Sequence, residues 1–285
     1  MLRSASLDLH AQLYSPWWRI IAGVLVAVSR ASLPVLLVLG MLVGQPISLF
    51  VWLRTLGSFA VLPALAAALI ARGLRARVEV RDAELCAHRG DLTIEVPCAA
   101  IERVIPWVFP LPGPGFSLRM RSGRRLRYGV QTTDPAWILS ALVEIGGVEV
   151  ARSALCHPIV CYAHQRSLVG WRWYHFLVKF VLFALIPTGV WFNAHQHIAY
   201  GGALGQYYLE GLVQYLRTFG ISWSLTTVYL VLYASALRAV AEVVALLAAF
   251  VAPARASGTR HWVEVACGVI YYGSVPVIML MPFLL

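Results

Sequence analysis

Apolar residues form long unbroken runs in the first and last parts of the chain and short alternating runs between them. A run of about 20 apolar residues is long enough for a helix to cross the roughly 30 Å of hydrocarbon in a bilayer. Alternation of apolar and polar residues is typical of a strand with one buried face. The pattern therefore predicts membrane-spanning helices toward both ends and a small β-rich domain between them.

The first apolar region predicts a transmembrane hairpin over residues 1–74. "YSPWWR" is typical of a helix start, because Ser15 can cap the helix and Pro16 suits its first position. This helix is expected to run to about Val43. A turn at 44–46 follows, and a second apolar helix covers 47–72.

This interpretation leaves Arg30 inside the first helix, and an alternative avoids that. Arg19 and Arg30 are eleven residues apart, so they lie near one helical face. An amphipathic helix over 17–30 could lie on the membrane surface with that face in water, and the crossings would then be at 33–53 and 55–71. Both arrangements return the chain to the side on which it began.

The alternating segments "RVEVRDAEL", "LTIEV" and "FSLRM" predict a soluble domain over residues 75–147. About six strands are expected before residue 131. "DPAWILSALVEIGG" then predicts one closing helix, because Asp134 can cap it and Gly146 can end it. Residues 148–172 are interpreted as a linker.

Residues 173–285 are predicted to return to the membrane. Crossings are expected at 173–192, 221–252 and 262–285, which with the first hairpin makes about five. The stretch at about 194–219 is too polar to cross and rich in aromatic residues. It is therefore expected to lie at the outer membrane surface.

Composition and charge agree with a membrane protein, because 60% of the residues are hydrophobic and only 13% are charged. A net charge of +10 would suggest a nucleic-acid partner in a soluble protein. Here the arginines gather beside the ends of apolar segments, so they indicate topology and no nucleic-acid partner is expected. Their distribution places the N-terminus and the soluble domain in the cytoplasm.

One stretch, "FSLRMRSGRRLRYGV", carries five arginines and predicts a β-hairpin. A three-residue loop at 122–124 pairs Arg121 with Arg125. The same register pairs Arg119 with Arg127, so that four guanidinium groups share one face and Arg124 lies at the tip. Like charges on one face repel, so we expect that water screens them, that anionic lipid headgroups contact them, that an acidic protein partner does, or that an arginine pair faces the domain's own Asp and Glu. The candidate anion-binding residues are Arg119, Arg121, Arg124, Arg125 and Arg127.

The order of strands followed by one helix, with "IPW" after a strand and the "SGRRLRYG" turn, resembles the bacterial pleckstrin-homology-like (PH-like) domains of small membrane proteins. The resemblance covers residues 75–147, about a quarter of the chain. It implies a PH-like fold in that segment and a role as an interaction module.

Two further sets of residues are candidates for function. Arg238 and Glu242 are four apart on one helical face within an apolar segment, which predicts either a structural salt bridge at the cytoplasmic interface or an intramembrane polar site. His195 and His197 can share a metal ion only in an extended or turn conformation, because a helix would point them about 200° apart, and histidines at the end of a crossing can bind haem iron. Interfacial hydrogen bonding is the alternative for the histidines, and no metal or cofactor is expected.

The motifs typical of hydrolases, nucleotide-binding proteins and metalloproteases do not occur in the sequence. The leading hypothesis is a non-catalytic membrane anchor or assembly protein whose PH-like insert docks on anionic lipid or on a partner subunit. A transporter or channel subunit using Arg238, Glu242 and Arg54 is the first alternative. A membrane metal or haem enzyme using His195 and His197 is the second.

Overall fold

The structure is a computed structural model that describes residues 9–43, 47–81, 83–168 and 176–284, without the side chains of residues 9, 254 and 276–284. The chain divides into two compact units, each described separately below. The first contains the sheet and comprises residues 1–29, 59–170 and 243–260. The second contains helices and comprises residues 30–58, 171–242 and 261–285.

The elements follow one another along the described residues as helices and strands. The strands are β1 (Leu9–Tyr14), β2 (Arg75–Arg81), β3 (Glu84–Arg89), β4 (Leu92–Pro97), β5 (Ile101–Pro106), β6 (Gly115–Met120) and β7 (Gly129–Gln131). The helices are α1 (Pro16–Val43), α2 (Leu49–Gly73), α3 (Pro135–Glu144), α4 (Val150–Leu155), α5 (Pro158–Ser167), α6 (Leu177–Tyr200), α7 (Gly205–Glu210), α8 (Leu212–Val251) and α9 (Ala256–Leu284). Segments α2 and α6 each contain a π-helical turn, at Gly57–Val61 and Leu177–Leu182.

All seven strands form one curled antiparallel sheet in the order β4-β3-β2-β1-β7-β6-β5. Strand β1, which the sequence analysis missed, lies at the middle of this sheet. It pairs with β2 through Ala11 and Ala76, and with β7 through Leu13 and Val130. Ala11 and Leu13 are buried, and their alternation with polar His10 and Gln12 was the signal that could have identified the strand.

The core of the first unit lies between the sheet and three short helices. Helix α3 contributes Ile138, Leu139 and Leu142, none of them more than 1% exposed. Helices α4 and α5 add smaller side chains to the same core, among them Ala151 and Val160. The predicted domain with one closing helix and a linker at 148–172 is therefore corrected: residues 150–155 and 158–167 are helical and packed, and residues 169–172 lie outside the described part.

A small apolar cluster joins the first two membrane helices to the sheet, and we call it the helix–sheet joint. It consists of Tyr14, Ala22, Ile70, Leu74 and Trp107. The amide of Leu13 also donates to the carbonyl of Leu74, at 2.9 Å. Because α1 starts directly after β1 and α2 ends directly before β2, the sheet is packed onto the helix ends without an intervening linker.

Four described helices are long and apolar enough to cross a membrane: α1, α2, α6 and α8. Helix α1 continues without a break through Arg30, so the alternative with a surface helix at 17–30 is wrong. The predicted turn at 44–46 lies outside the described residues. The fifth crossing predicted at 262–285 overlaps α9, whose side chains from 276 onward are not described, so it stays a prediction.

The predicted surface segment at about 194–219 is mostly helical continuation of its neighbours. Helix α6 runs to Tyr200 and α8 begins at Leu212, so the chain turns only between them. The turn is fixed by Gly201 and Gly211, whose φ angles of 71° and 86° are in the region that other residues avoid. The prediction from polarity made the segment between α6 and α8 too long, because glycines such as these determine where the helices end.

Within the second unit, the helices contact each other through a few large and small side chains. Trp52 is 2% exposed and meets the ring of Tyr229 edge-on, with the ring centroids 5.4 Å apart. A Cβ atom at Gly40 would lie 2.9 Å from the Trp52 ring. A glycine at this position is therefore what lets the tryptophan ring approach α1.

Candidate functional site

The arginine-rich hairpin between β6 and β7 ends in a tight three-residue loop. The amide of Gly123 donates to the carbonyl of Met120, and the amide of Met120 donates to the carbonyl of Arg124, both at 2.9 Å. Gly123 has a φ of 77°. This is the geometry of a turn that ends in a left-handed residue, which favours glycine at the last loop position. The loop is therefore 121–123 rather than the predicted 122–124.

This shift changes which arginines face each other near the tip. Arg119 pairs with Arg125, not with the predicted Arg127, and the amide of Leu126 donates to the carbonyl of Leu118. At the base of the hairpin Phe116 pairs with Val130, as the predicted register requires. The pairing register therefore differs by two residues between the tip and the base of the hairpin, and residues 127 and 128 of the returning arm are the two extra residues.

A third arginine lies beside this pair on the neighbouring strand. Arg103 of β5 is the partner of Arg119 in the β5–β6 ladder, and Arg119 also pairs with Arg125 on the returning arm of the hairpin, so the three arginines form a row. Arg119 Nε lies 3.3 Å from Glu102 Oε2. Sequence reasoning missed Arg103, because its neighbour in the sheet depends on the β5–β6 register, which the sequence pattern does not specify.

We call the whole set the arginine surface, and it is strongly cationic. Its members are Arg103, Arg119, Arg121, Arg124, Arg125 and Arg127. All except Arg119 are exposed. Among the described residues, Glu102 is the sole carboxylate that forms an ion pair with any of them. Arg127 also lies over the ring of Tyr128, at 5.9 Å. Of these six guanidinium groups, the described residues give only that of Arg119 a carboxylate partner, so the surface can accept an anionic partner.

The hairpin leads away from the helix–sheet joint. Trp107 of the joint covers the start of β6: its amide donates to the Gly115 carbonyl, and a Cβ at Gly115 would lie 2.9 Å from its ring. At 3.3 Å per strand residue, Arg119 is about 13 Å along β6 from that point, and Arg121 about 20 Å. The arginine surface is thus at the end of the strands opposite to the joint.

The predicted ion pair of Arg238 and Glu242 is present and has a third member. Arg238 Nη2 lies 2.7 Å from Glu242 Oε1, and Arg238 Nη1 lies 3.6 Å from Glu264 Oε1. All three side chains are partly buried. Glu264 belongs to α9, so its participation depends on how α8 and α9 pack, which sequence spacing does not give.

A lysine lies among aromatic rings in the same unit. Lys179 Nζ is 4.6 Å from the Tyr271 ring centroid and 5.7 Å from that of Tyr272. The hydroxyl of Tyr271 donates to the Lys179 carbonyl, at 3.2 Å. A cation held over aromatic faces is stabilised by the ring quadrupoles. This contact fixes α6 against α9, and it was not expected from the sequence.

The candidate metal ligands His195 and His197 lie in the last two turns of α6, where both are exposed. The residue between them, Gln196, is fully buried and donates from Nε2 to Gln206 Oε1 at 2.9 Å. Helical geometry therefore directs the two imidazoles away from each other. In the part of the chain that the structure describes, no three His, Cys, Asp or Glu side chains come together as metal ligands.

Comparison of the chain with protein-family models, with curated proteins and with solved structures gives no match. Its function must therefore be inferred from the chemistry of these residues.

Proposed function

We propose that this chain is a non-catalytic, membrane-anchored interaction protein of the bacterial inner membrane. Its sheet domain is PH-like, lies on the cytoplasmic side and binds an acidic surface of a partner protein through the arginine surface. The chain crosses the membrane five times, with α9 as the last crossing.

The observation that carries this proposal is the exposure of the arginine surface at the end of the hairpin that points away from the helix–sheet joint. Exposed guanidinium groups without carboxylate partners repel one another, and an anionic partner relieves that repulsion. The anion could belong to a protein or to the lipid headgroups. The Debye length is about 8 Å at physiological ionic strength, and the tip is up to about 20 Å from the joint, which favours a protein.

The strand order supports a PH-like fold. Strands β1 to β4 are consecutive neighbours, as are β5 to β7, and packed helices follow them. This matches the strand-then-helix order on which the resemblance is based. The domain differs in two respects, because its β1 comes from before the first membrane helix and three packed helices follow the strands where the resemblance implies one.

The pairing of β1 with β2 also supports the proposed topology. These strands flank α1 and α2 in the chain and belong to one sheet, so the helices between them must cross the membrane an even number of times. The N-terminus and the sheet domain are then on the same side. Arginines at the ends of these helices favour the cytoplasm for that side.

The proposal can be tested with the full chain in nanodiscs of neutral lipid and a fluorescent polyglutamate peptide as the acidic probe. We expect binding that weakens steeply with salt, because the contacts are exposed charges. Changing Arg121, Arg124 and Arg125 to Gln should weaken it roughly tenfold, if each exposed pair contributes about 0.5 kcal/mol. A matched control changes three arginines elsewhere in the domain, Arg77, Arg89 and Arg152, to Gln and should bind as before.

Repeating the measurement in nanodiscs of anionic lipid separates the two anionic partners. If the arginine surface binds the headgroups of the bilayer in which the chain is anchored, anionic lipid will compete with the peptide and abolish its binding. That result would overturn the protein-partner proposal. Absence of binding in both lipids would mean that the surface is merely solvated. Equal losses in the two triple variants would show a general charge effect without a site.

A further inference from the structure

The loop between β5 and β6 is apolar and is held against the first membrane helix. We call residues 107–114, "WVFPLPGP", the proline loop. No charged residue occurs between Arg103 and Arg119, so the loop lies in the longest uncharged stretch of the sheet domain. Its three prolines restrict the backbone, because each fixes φ near −65°.

Two contacts fix the depth of this loop along α1. The guanidinium carbon of Arg19 lies 4.6 Å from the centroid of the Trp107 ring. A Cβ atom at Gly23 would lie 3.7 Å from the backbone of Leu111. Gly23 is seven residues into α1, which is about 10 Å along the helix from its start at Pro16. The proline loop therefore lies beside the beginning of the membrane-spanning segment.

Helix α1 is apolar at the same level. Ile20, Ile21 and Val24 are each more than 40% exposed, as expected of side chains that face lipid. The loop exposes two large apolar side chains of its own: Val108 is 60% exposed and Phe109 is 72% exposed. In water such a pair would be unfavourable, whereas beside an apolar membrane helix it continues the helix's lipid-facing surface.

We infer that the proline loop enters the same bilayer that α1 crosses, with Val108 and Phe109 in contact with lipid acyl chains. Lipid is the expected occupant because the loop lies at the level where α1 itself presents apolar side chains outward. The loop is then a third attachment of the sheet domain to the membrane, beside the entry into α1 and the exit from α2. Three attachments fix the orientation of the domain and keep the arginine surface turned away from the bilayer.

This inference is tested by replacing Phe109 with the photoreactive residue p-benzoylphenylalanine in the full chain, reconstituted in phospholipid nanodiscs. Irradiation should yield adducts whose mass increases by one phospholipid, at least about tenfold more than with the same residue at Arg124, since the bilayer interior contains lipid and no water. Absence of lipid adducts at residue 109 would overturn the inference. Adducts to protein in place of lipid would do the same, because a second copy or a partner would then cover the loop.

A second measurement does not depend on photochemistry. In the same nanodiscs, Phe109→Cys should react with a water-soluble maleimide at least about tenfold more slowly than Arg124→Cys, because the thiolate does not form in hydrocarbon. Reaction at equal rates would place the loop in water and refute the inference. Both variants must match the unsubstituted protein in helix content by circular dichroism, and labelling of the native cysteines is subtracted using that protein.

Discussion

The sheet domain and the membrane helices of this chain use apolar residues in opposite ways. In the sheet domain the large apolar side chains are enclosed: Phe116, Leu118 and Leu139 are all completely buried. In α2 only 11% of the most apolar 18-residue stretch is buried, and Leu65 and Leu69 are more than half exposed. The hydrophobic effect of water drives the burial of apolar side chains in the sheet domain. Lipid is as apolar as leucine, so it provides no comparable driving force for burying leucines between membrane helices. The same residue type therefore carries different structural information in the two regions.

What holds the membrane helices together is accordingly not bulk hydrophobicity. Their contacts depend on a close approach at Gly40, on aromatic rings such as Trp52 and Tyr271, and on the ions Arg238 and Lys179. Small residues and polar groups are the usual means of helix association in a bilayer. Substitutions that remove apolar bulk should therefore destabilise the sheet domain. Substitutions that remove a charge or a close-fitting side chain should destabilise the packing of the membrane helices.

The largest expected effect is the loss of a core leucine in the sheet domain. Leu139→Ala should lower the free energy of unfolding by about 2–5 kcal/mol, because it removes a fully buried side chain and leaves a cavity. The matched change Leu69→Ala, at a 69% exposed position in α2, should cost less than about 0.5 kcal/mol. Hydrogen exchange of the β6 amides in the full chain, with denaturant, measures the loss. Similar losses at the two positions would contradict the contrast between the regions.

A smaller effect is expected from the ions between α8 and α9. Arg238→Ala removes the cation that lies between Glu242 and Glu264. It should cost about 1–3 kcal/mol, between the values for exposed and buried ion pairs. Glu242→Ala should cost less, because Arg238 keeps Glu264. Combining the two changes should cost less than their sum, since the partners interact directly. Thermal unfolding in detergent checks this, and strictly additive losses would argue that the two residues act independently.

The smallest effect is a pH dependence in the sheet domain. His157 caps α5, because its Nδ1 accepts a hydrogen bond from the Ile159 amide at 3.3 Å. Burial lowers the pKa of His157, so the folded chain takes up its proton less readily than the unfolded chain. Stability from this group is therefore complete above about pH 6.5, the unfolded value, and is lost as the pH falls through the lower folded pKa.

We expect this loss to be about 0.5–1 kcal/mol, the lower part of the range for a helix N-cap. Comparing the unfolding midpoint between pH 7.5 and pH 5 with that of His157→Asn isolates the contribution. Asparagine keeps a capping oxygen and does not titrate, so the variant should lose less stability at low pH. An identical pH profile in both proteins would show that His157 does not contribute.

Length and periodicity were enough to predict the four long apolar helices α1, α2, α6 and α8, because a crossing needs a minimum apolar run whatever its neighbours are. They also predicted that a β-rich domain follows α2. They did not reveal β1, since its six residues precede a much stronger helical signal and its partners β2 and β7 are distant in the chain. The packing of α4 and α5 was missed for a related reason: Ala151 and Ala154 are small, and only the space beside the sheet makes them core residues.

The candidate site was predicted in composition but not in geometry. The sequence identified the five hairpin arginines, whereas their facing pairs depended on the left-handed conformation of Gly123, which moves the loop by one residue. Arg103 and Glu264 could not be found, because Arg103 joins its group through the register between β5 and β6 and Glu264 through the packing of α9 on α8, and the sequence pattern specifies neither. Local pattern thus predicts which residues are charged and exposed, but their partners follow from tertiary structure.

The central position of β1 has a consequence for how the chain is made. This strand leaves the ribosome before both of its partners, because β2 and β7 follow only after two membrane helices and, for β7, more than half of the domain. At usual rates of synthesis the wait for β7 is on the order of ten seconds. During that time the strand has unpaired edges, which are prone to wrong pairing. The domain also cannot be excised at Arg75 without losing the middle of its sheet, so its biogenesis is coupled to insertion of the helices that interrupt it.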